Sequence, residues 1–126
     1  MPKIAIIDDD TDIVEATSIL LESKGYEVVS AENVSSGFKL VENQNPDLII
    51  LDVMMDEPDD GFYLAMKLRK KGVNTPIIML TSVAKATGLD FSHSETLPVN
   101  EFLEKPVAPA ILLEKVGFFL NAAGGN

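Results

Sequence analysis

Short apolar runs that stop abruptly at polar side chains divide the chain, and longer amphipathic blocks fill the intervals between them. Ile4-Ala5-Ile6-Ile7 halts at Asp8-Asp9-Asp10. Tyr26–Ala31, Asp47–Asp52, Pro76–Thr81 and Glu101–Glu104 are the other runs. An unbroken, β-branched run of four to six residues bounded by a turn reads as a strand buried on both faces. The intervals carry helical spacing instead. Ile13, Thr17, Leu20 and Leu21 mark a helix from about 11 to 24 with Asp10 as N-cap and Gly25 as stop. Val34, Phe38 and Val41 follow a second cap at Asn33. Leu64 and Leu68 mark a helix from about 61 to 71, and Leu112, Val116, Phe119 and Leu120 a last one that begins at Pro109. By symmetry a further helix belongs within 84–98, a polar stretch with Gly88 and Pro98 that scarcely encodes it. Strands alternating with helices imply an α/β fold, a parallel sheet with helices on both faces.

The chain of 126 residues is one domain's worth. The reading is a domain over 1–121 and a flexible tail or linker stub over 122–126. Acidic residues number 20 against 10 basic ones, a net charge of −10, which argues against binding nucleic acid or an anionic membrane. There is no cysteine, hence no disulfide, thiolate metal site or Cys nucleophile. No run approaches the length of a spanning helix, and Met1-Pro2-Lys3 leads straight into a strand, not a signal peptide. A soluble, cytoplasmic protein is expected.

In an open parallel sheet, sites form beyond the carboxyl ends of the strands. Those ends carry Asp8, Asp9 and Asp10, then Asp52, then Thr81 and Ser82, then Lys105-Pro106. Two carboxylates about 4 Å apart repel by roughly 4 kcal/mol at an effective dielectric of 20, so a cation is expected to offset them. Oxygen ligands without His or Cys suit Mg²⁺ best, with Mn²⁺ or Ca²⁺ also admitted. A hydroxyl and an ammonium beside a metal make a place for a phosphoryl group. A carboxylate can be the nucleophile in phosphoryl transfer. Asp52 is the central candidate, because it ends the longest apolar strand.

Four ordered motifs, KIAIIDDD, PDLIILDVMM, IIMLTS and FLEKP, resemble the receiver (phospho-acceptor) domain of bacterial two-component response regulators over nearly the whole chain. The resemblance implies a flavodoxin-like, doubly wound sheet of order 2-1-3-4-5 with five helices. It also implies a Mg²⁺-dependent signalling switch, not a metabolic enzyme, phosphorylated on Asp52 by a histidine kinase or phosphotransfer protein. Asp9 would ligate the metal directly and Asp8 through a water; Asp52 would add a carboxylate oxygen and Met54 its backbone carbonyl. Thr81 and Lys105 would hold phosphoryl oxygens. Phe102 would be the switch aromatic that turns as Thr81 moves, and Lys105-Pro106 would be a cis bond. A downstream protein or an output domain outside this sequence would receive the signal.

The chain departs from the family pattern in places. The loop VMMDEPDDG is one residue longer than the common form, with Asp56 where Pro is usual. Ser82 replaces a common Ala, Phe102 lacks a Tyr hydroxyl, and 84–98, which usually faces partners, differs most. Met54 and Val83 stand where the family tunes loss of the phosphate. Two rivals remain open. Phosphatases of the haloacid dehalogenase class would use Asp8 as nucleophile with Asp10, Thr81, Lys105 and Asp59-Asp60, although the acidic pair then comes in the wrong order. A degenerate receiver would bind partners without phosphorylation. Asp59-Asp60-Gly61 reads more simply as a helix start, and His93 as a solvated residue.

Overall fold

The computed structural model describes residues 1–81 and 99–123. Its elements run β1 (Lys3–Ile7), α1 (Thr11–Glu22), β2 (Glu27–Ala31), α2 (Val34–Gln44), β3 (Leu48–Asp52), α3 (Asp60–Lys70), β4 (Ile77–Thr81), β5 (Glu101–Glu104) and α4 (Pro109–Ala123). All pairings are parallel, in the order β2-β1-β3-β4-β5. Four helices are found among the described residues, against the five expected. The fifth is expected within 84–98, which lies outside the described residues. The last helix continues through Ala123 and so takes in the first two residues of the segment read as a tail.

The central strands are buried on both faces, and their side chains alternate between two cores. Ile4 and Ile6, Leu48 and Ile50, and Ile78 and Leu80 meet Leu21 of α1 and Leu112 and Val116 of α4. Ala5 and Ile7, Ile49 and Leu51, and Ile77 and Met79 meet Val41 of α2 and Leu64 and Leu68 of α3. This two-sided burial is why the runs carry no apolar–polar alternation. The helix starts follow local chemistry. Asp10 caps α1, its Oδ1 accepting from the backbone N–H of Asp12 (3.0 Å) and Ile13 (3.2 Å). Asn33 and Ser36 form a reciprocal capping box on α2. Asp59 precedes α3 but makes no side-chain cap bond.

Two contacts hold the ends of elements against the sheet. Gly61, in the first turn of α3, donates its N–H to Val53 O at 2.8 Å. A Cβ there would collide with the Asp52 carbonyl oxygen and come within 2.8 Å of Val53 Cα, so only glycine lets the helix approach β3 this closely. At the other end of α3, Arg69 Nη1 donates to Val73 O (2.8 Å) and Thr75 O (2.9 Å), and Nη2 donates to Asn100 Oδ1 (3.1 Å). That same oxygen accepts from Ile77 N–H (2.9 Å). The guanidinium thus ties the end of α3 to the starts of β4 and β5.

Candidate functional site

β1 and β3 lie side by side, with Ile7 in register with Leu51. Both strands end in carboxylates at one edge. Asp8 is 1% exposed and Asp52 7%, a burial that carboxylates tolerate only with partners. Asp8 donates its N–H to Ala31 O at 3.1 Å, and its Oδ1 accepts from Asp10 N–H at 2.9 Å. The strand end and the turn into α1 therefore fix where its other oxygen, Oδ2, points. Asp9 is exposed at the same tip. Carboxylate oxygens of Asp8, Asp9 and Asp52 all lie within 4.8 Å of one another.

Lys105 comes to this cluster from β5. Its Nζ stands 3.1 Å from Asp52 Oδ1 and 3.2 Å from Asp8 Oδ2. The backbone feeds it there: Lys105 N–H donates to Thr81 O at 2.7 Å, and the following bond to Pro106 is cis. Asp8, Asp9, Asp10, Asp52, Val53, Met54, Met55 and Lys105 line a cavity of about 190 Å³. Met54 thus borders the site. Val53 and Met55 join it without any chemical signature in the sequence; they are there because they flank Met54 in the loop that leaves β3. Asp10 also borders the cavity, but its Oδ1 is occupied by the α1 cap.

The electrostatics follow from this packing. Burial raises the Asp52 carboxyl most, the Asp8 charge raises it further, and Lys105 pulls it partly back. The result is about 6 against an ordinary 3.8. For Lys105, burial pulls the ammonium down, but the charges of Asp8 and Asp52 outweigh it and hold its pKa above the ordinary lysine value. The donor set fits a hard divalent cation. It is all oxygen, it converges, and its carboxylates gather around a positive charge even in the bare protein.

Thr81 is placed differently. It ends β4, buried at 7% exposure, but it is not among the residues that line the cavity. Strand alternation gives the reason. Asp52 shares a face with Leu48 and Ile50, on the side of α1 and α4. Thr81 shares the opposite face with Ile77 and Met79. Phe102 packs on that second face too, in register with Met79, its ring centroid 6.0 Å from that of Phe62 with the planes at 47°. The five polar residues expected at one pocket thus form a compact group of Asp8, Asp9, Asp52 and Lys105, with Thr81 beside it on the side of Phe102. Asp59 and Asp60 are not in the carboxylate cluster; Asp60 instead accepts from Glu57 N–H at 2.9 Å. Ser82, Val83 and His93 lie outside the described residues.

Comparison with known proteins gives a consistent answer. The sequence model of the response regulator receiver domain matches residues 4–117. The chain is 36% identical to the alkaline phosphatase synthesis transcriptional regulatory protein PhoP of Bacillus subtilis, over 85% of this chain and 43% of that protein. It is 34% identical to the phosphate regulon transcriptional regulatory protein PhoB of Pseudomonas aeruginosa, over 96% of this chain and 52% of that one. The chain therefore spans about half the length of these curated relatives. Among solved structures, a CheY-like receiver domain protein from Methanospirillum hungatei superposes with a TM-score of 0.83 at 31% identity, covering 99% of this chain and 98% of that one. TrrA from Thermotoga maritima, solved in complex with Mg²⁺-BeF, superposes at 0.79 with 31% identity, covering 94% of this chain and 99% of its own. On its sequence, its sheet order and its acidic strand tips together, the chain belongs to the response regulator receiver domain family.

Proposed function

We propose that the chain is a phosphorylation switch in which Asp52 accepts a phosphoryl group from a histidine kinase or phosphotransfer protein. The observation that carries this reading is the convergence of Asp8, Asp9 and Asp52 around the Lys105 ammonium. An Asp52 carboxylate oxygen attacks phosphorus, the bond from phosphorus to the donor breaks, and an acyl phosphate forms on Asp52 as the donor group leaves with its electron pair. With a pKa of about 6, Asp52 is ionised at neutral pH and free to attack. Lys105 already touches Asp52 and can follow the charge onto the new phosphoryl oxygens. Thr81 donates its hydroxyl to the same group once it moves, and Phe102, on its face of the sheet, changes position with it.

Asp8, Asp9, Asp52 and the Met54 backbone carbonyl would hold Mg²⁺, with Mn²⁺ as a substitute. Bound there, the cation neutralises charge on the transferred group. The complex of TrrA with Mg²⁺-BeF supports this assignment by analogy. An apolar groove of about 550 Å³, bordered by Ile13, Ala16, Ile19 and Leu20 of α1 with Pro106 and Val107, would offer the donor protein an apolar surface beside Lys105. The relatives are transcriptional regulators twice this length, so the signal passes either to an output domain or to a separate protein. A cytoplasmic location is part of the same proposal, as the setting in which a kinase or phosphotransfer protein would meet the switch. Separately, no helix among the described residues is long and apolar enough to cross a membrane.

The test is mass spectrometry after incubation with acetyl phosphate and Mg²⁺. One added phosphoryl group is expected, absent from Asp52→Asn. No adduct on the unaltered chain would overturn the reading in favour of a receiver that binds without phosphorylation. A label that survives in Asp52→Asn and vanishes in Asp8→Asn would overturn it in favour of phosphatase-like chemistry. The cap bonds that occupy Asp10 Oδ1 and the absence of Asp59 and Asp60 from the carboxylate cluster already disfavour that rival, whose motif includes all three.

A further inference from the structure

The end of β3 leads by direct contact to the ring on β5. Gly61 is pressed against the Asp52–Val53 backbone so closely that a single methyl group would not fit, and its N–H is bonded to Val53 O at 2.8 Å. Displacement of the backbone that carries Asp52 therefore moves the first turn of α3 with it, since closely packed groups have no slack to absorb it. The next residue in that turn is Phe62. Its half-buried ring packs against the same core cluster as Met54, Met55 and Phe102, and it stands 6.0 Å from the Phe102 ring at a tilt of 47°, a range in which aromatic pairs attract.

We infer that Phe62 is a positioning residue of the switch: it forms the seat of the Phe102 ring and, through Gly61, couples that seat to the backbone of Asp52. The inference rests on the proposed roles of Asp52 and Phe102 and adds a second route between them, separate from Thr81. Thr81 ends β4, the strand that pairs with β5, whereas Phe62 meets the Phe102 ring from α3. An element that both sites bias is what energetic coupling between them requires.

The chain has no tryptophan, so Phe102→Trp supplies a single fluorescent reporter at the ring position. Its emission and its quenching by acrylamide are measured with and without beryllofluoride plus Mg²⁺, in the Phe102→Trp chain and after adding Phe62→Leu. Phe62→Met serves as a second replacement should the leucine variant fail to fold. Acetyl-phosphate labelling is followed in parallel by mass. The expected result is a change in emission and quenching in Phe102→Trp that falls by more than half when Phe62 is replaced, while Asp52 still takes up one phosphoryl group. An equal change in both chains would make Phe62 a packing residue only and overturn the inference. So would labelling without any change at the reporter, which would leave phosphorylation of Asp52 standing. Absence of labelling in every chain would instead overturn the reading of Asp52, and the inference with it.

Discussion

Lys105 Nζ lies 3.1 Å from Asp52 Oδ1, and the same ammonium reaches Asp8 at 3.2 Å. It thereby reaches two carboxylates that lie 53 and 97 positions before it in the chain. The contact has two consequences. It steadies a pair of buried carboxylates that would otherwise repel, and it stations a positive charge where phosphoryl oxygens would arrive. The second role is available only because β5 pairs with β4 and places Lys105 at the same edge as Asp52.

Removing that ammonium should therefore damage stability and chemistry together. Lys105→Met leaves Asp8 and Asp52 facing each other without a partner. Breaking a buried pair costs about 3–5 kcal/mol; with the lysine side chain one-fifth exposed, roughly 2 kcal/mol is expected at neutral pH without divalent ions. Urea unfolding in the presence of a chelator measures it. Labelling of Asp52 by acetyl phosphate should slow by about tenfold or more, since one charge-stabilising donor contributes on the order of 2–4 kcal/mol to such transfers. A variant of unchanged stability would mean that the ion pair is not formed in solution.

The pH dependence has a definite sign. Asp52 has a folded pKa of about 6 against 3.8 for an ordinary aspartate, so the native chain holds that proton more tightly than the unfolded one. Its contribution favours folding below pH 3.8 and is lost as pH rises through 6. In the metal-free protein the span is at most about 3 kcal/mol. Asp52→Asn cannot ionise and escapes this loss. Its stability advantage over the unaltered chain should widen between pH 4 and pH 7, read by paired urea titrations with a chelator. A constant difference across that range would show that burial and Asp8 do not perturb Asp52.

Much of this arrangement was legible in the chain. The strand tips Asp8 and Asp52 end apolar runs that are buried on both faces, and such runs mark where a strand stops; Lys105 follows the shorter, half-buried edge strand β5. The caps Asp10 and Asn33 were equally plain, because their side chains act on neighbours two or three residues away. What escaped depends on distant approach. Nothing local marks Gly61 as the point where α3 touches the Asp52 carbonyl, or pairs Arg69 with Asn100 across 31 positions. The separation of Thr81 from the acidic cavity could have been counted from strand alternation, since Thr81 is two residues beyond Met79 and Asp52 two beyond Ile50. The expected helix in 84–98 lies outside the described residues.

Divalent ions should stabilise the fold by relieving the same repulsion. A ligand at a hundredfold excess over its dissociation constant adds about 2.7 kcal/mol, which for a domain of this size means a rise in melting temperature on the order of 10 °C. Mg²⁺ at millimolar concentration is expected to give such a rise, and Mn²⁺ a similar one. Asp9→Asn and Asp52→Asn should each lose most of it. Scanning calorimetry with and without Mg²⁺ decides the matter; an equal rise in Asp9→Asn would place the ion elsewhere.

Two glycines in helices offer a matched pair of substitutions. At Gly61 an added methyl group would strike the Asp52 carbonyl oxygen and Val53 Cα, both backbone atoms that cannot rotate aside. Gly61→Ala should cost about 1–3 kcal/mol or more, the range for overpacking a site that cannot relax, and should also slow acetyl-phosphate labelling because the strain falls on the residue that is labelled. At Gly117, within α4, a Cβ would meet nothing within 4 Å. Gly117→Ala should instead stabilise the chain by about 0.5–1 kcal/mol, the ordinary gain from replacing a mid-helix glycine, with labelling unchanged. Thermal melts and labelling rates of the two variants side by side test the close approach of α3 to β3, because helix propensity acts on both and the collision on Gly61 alone.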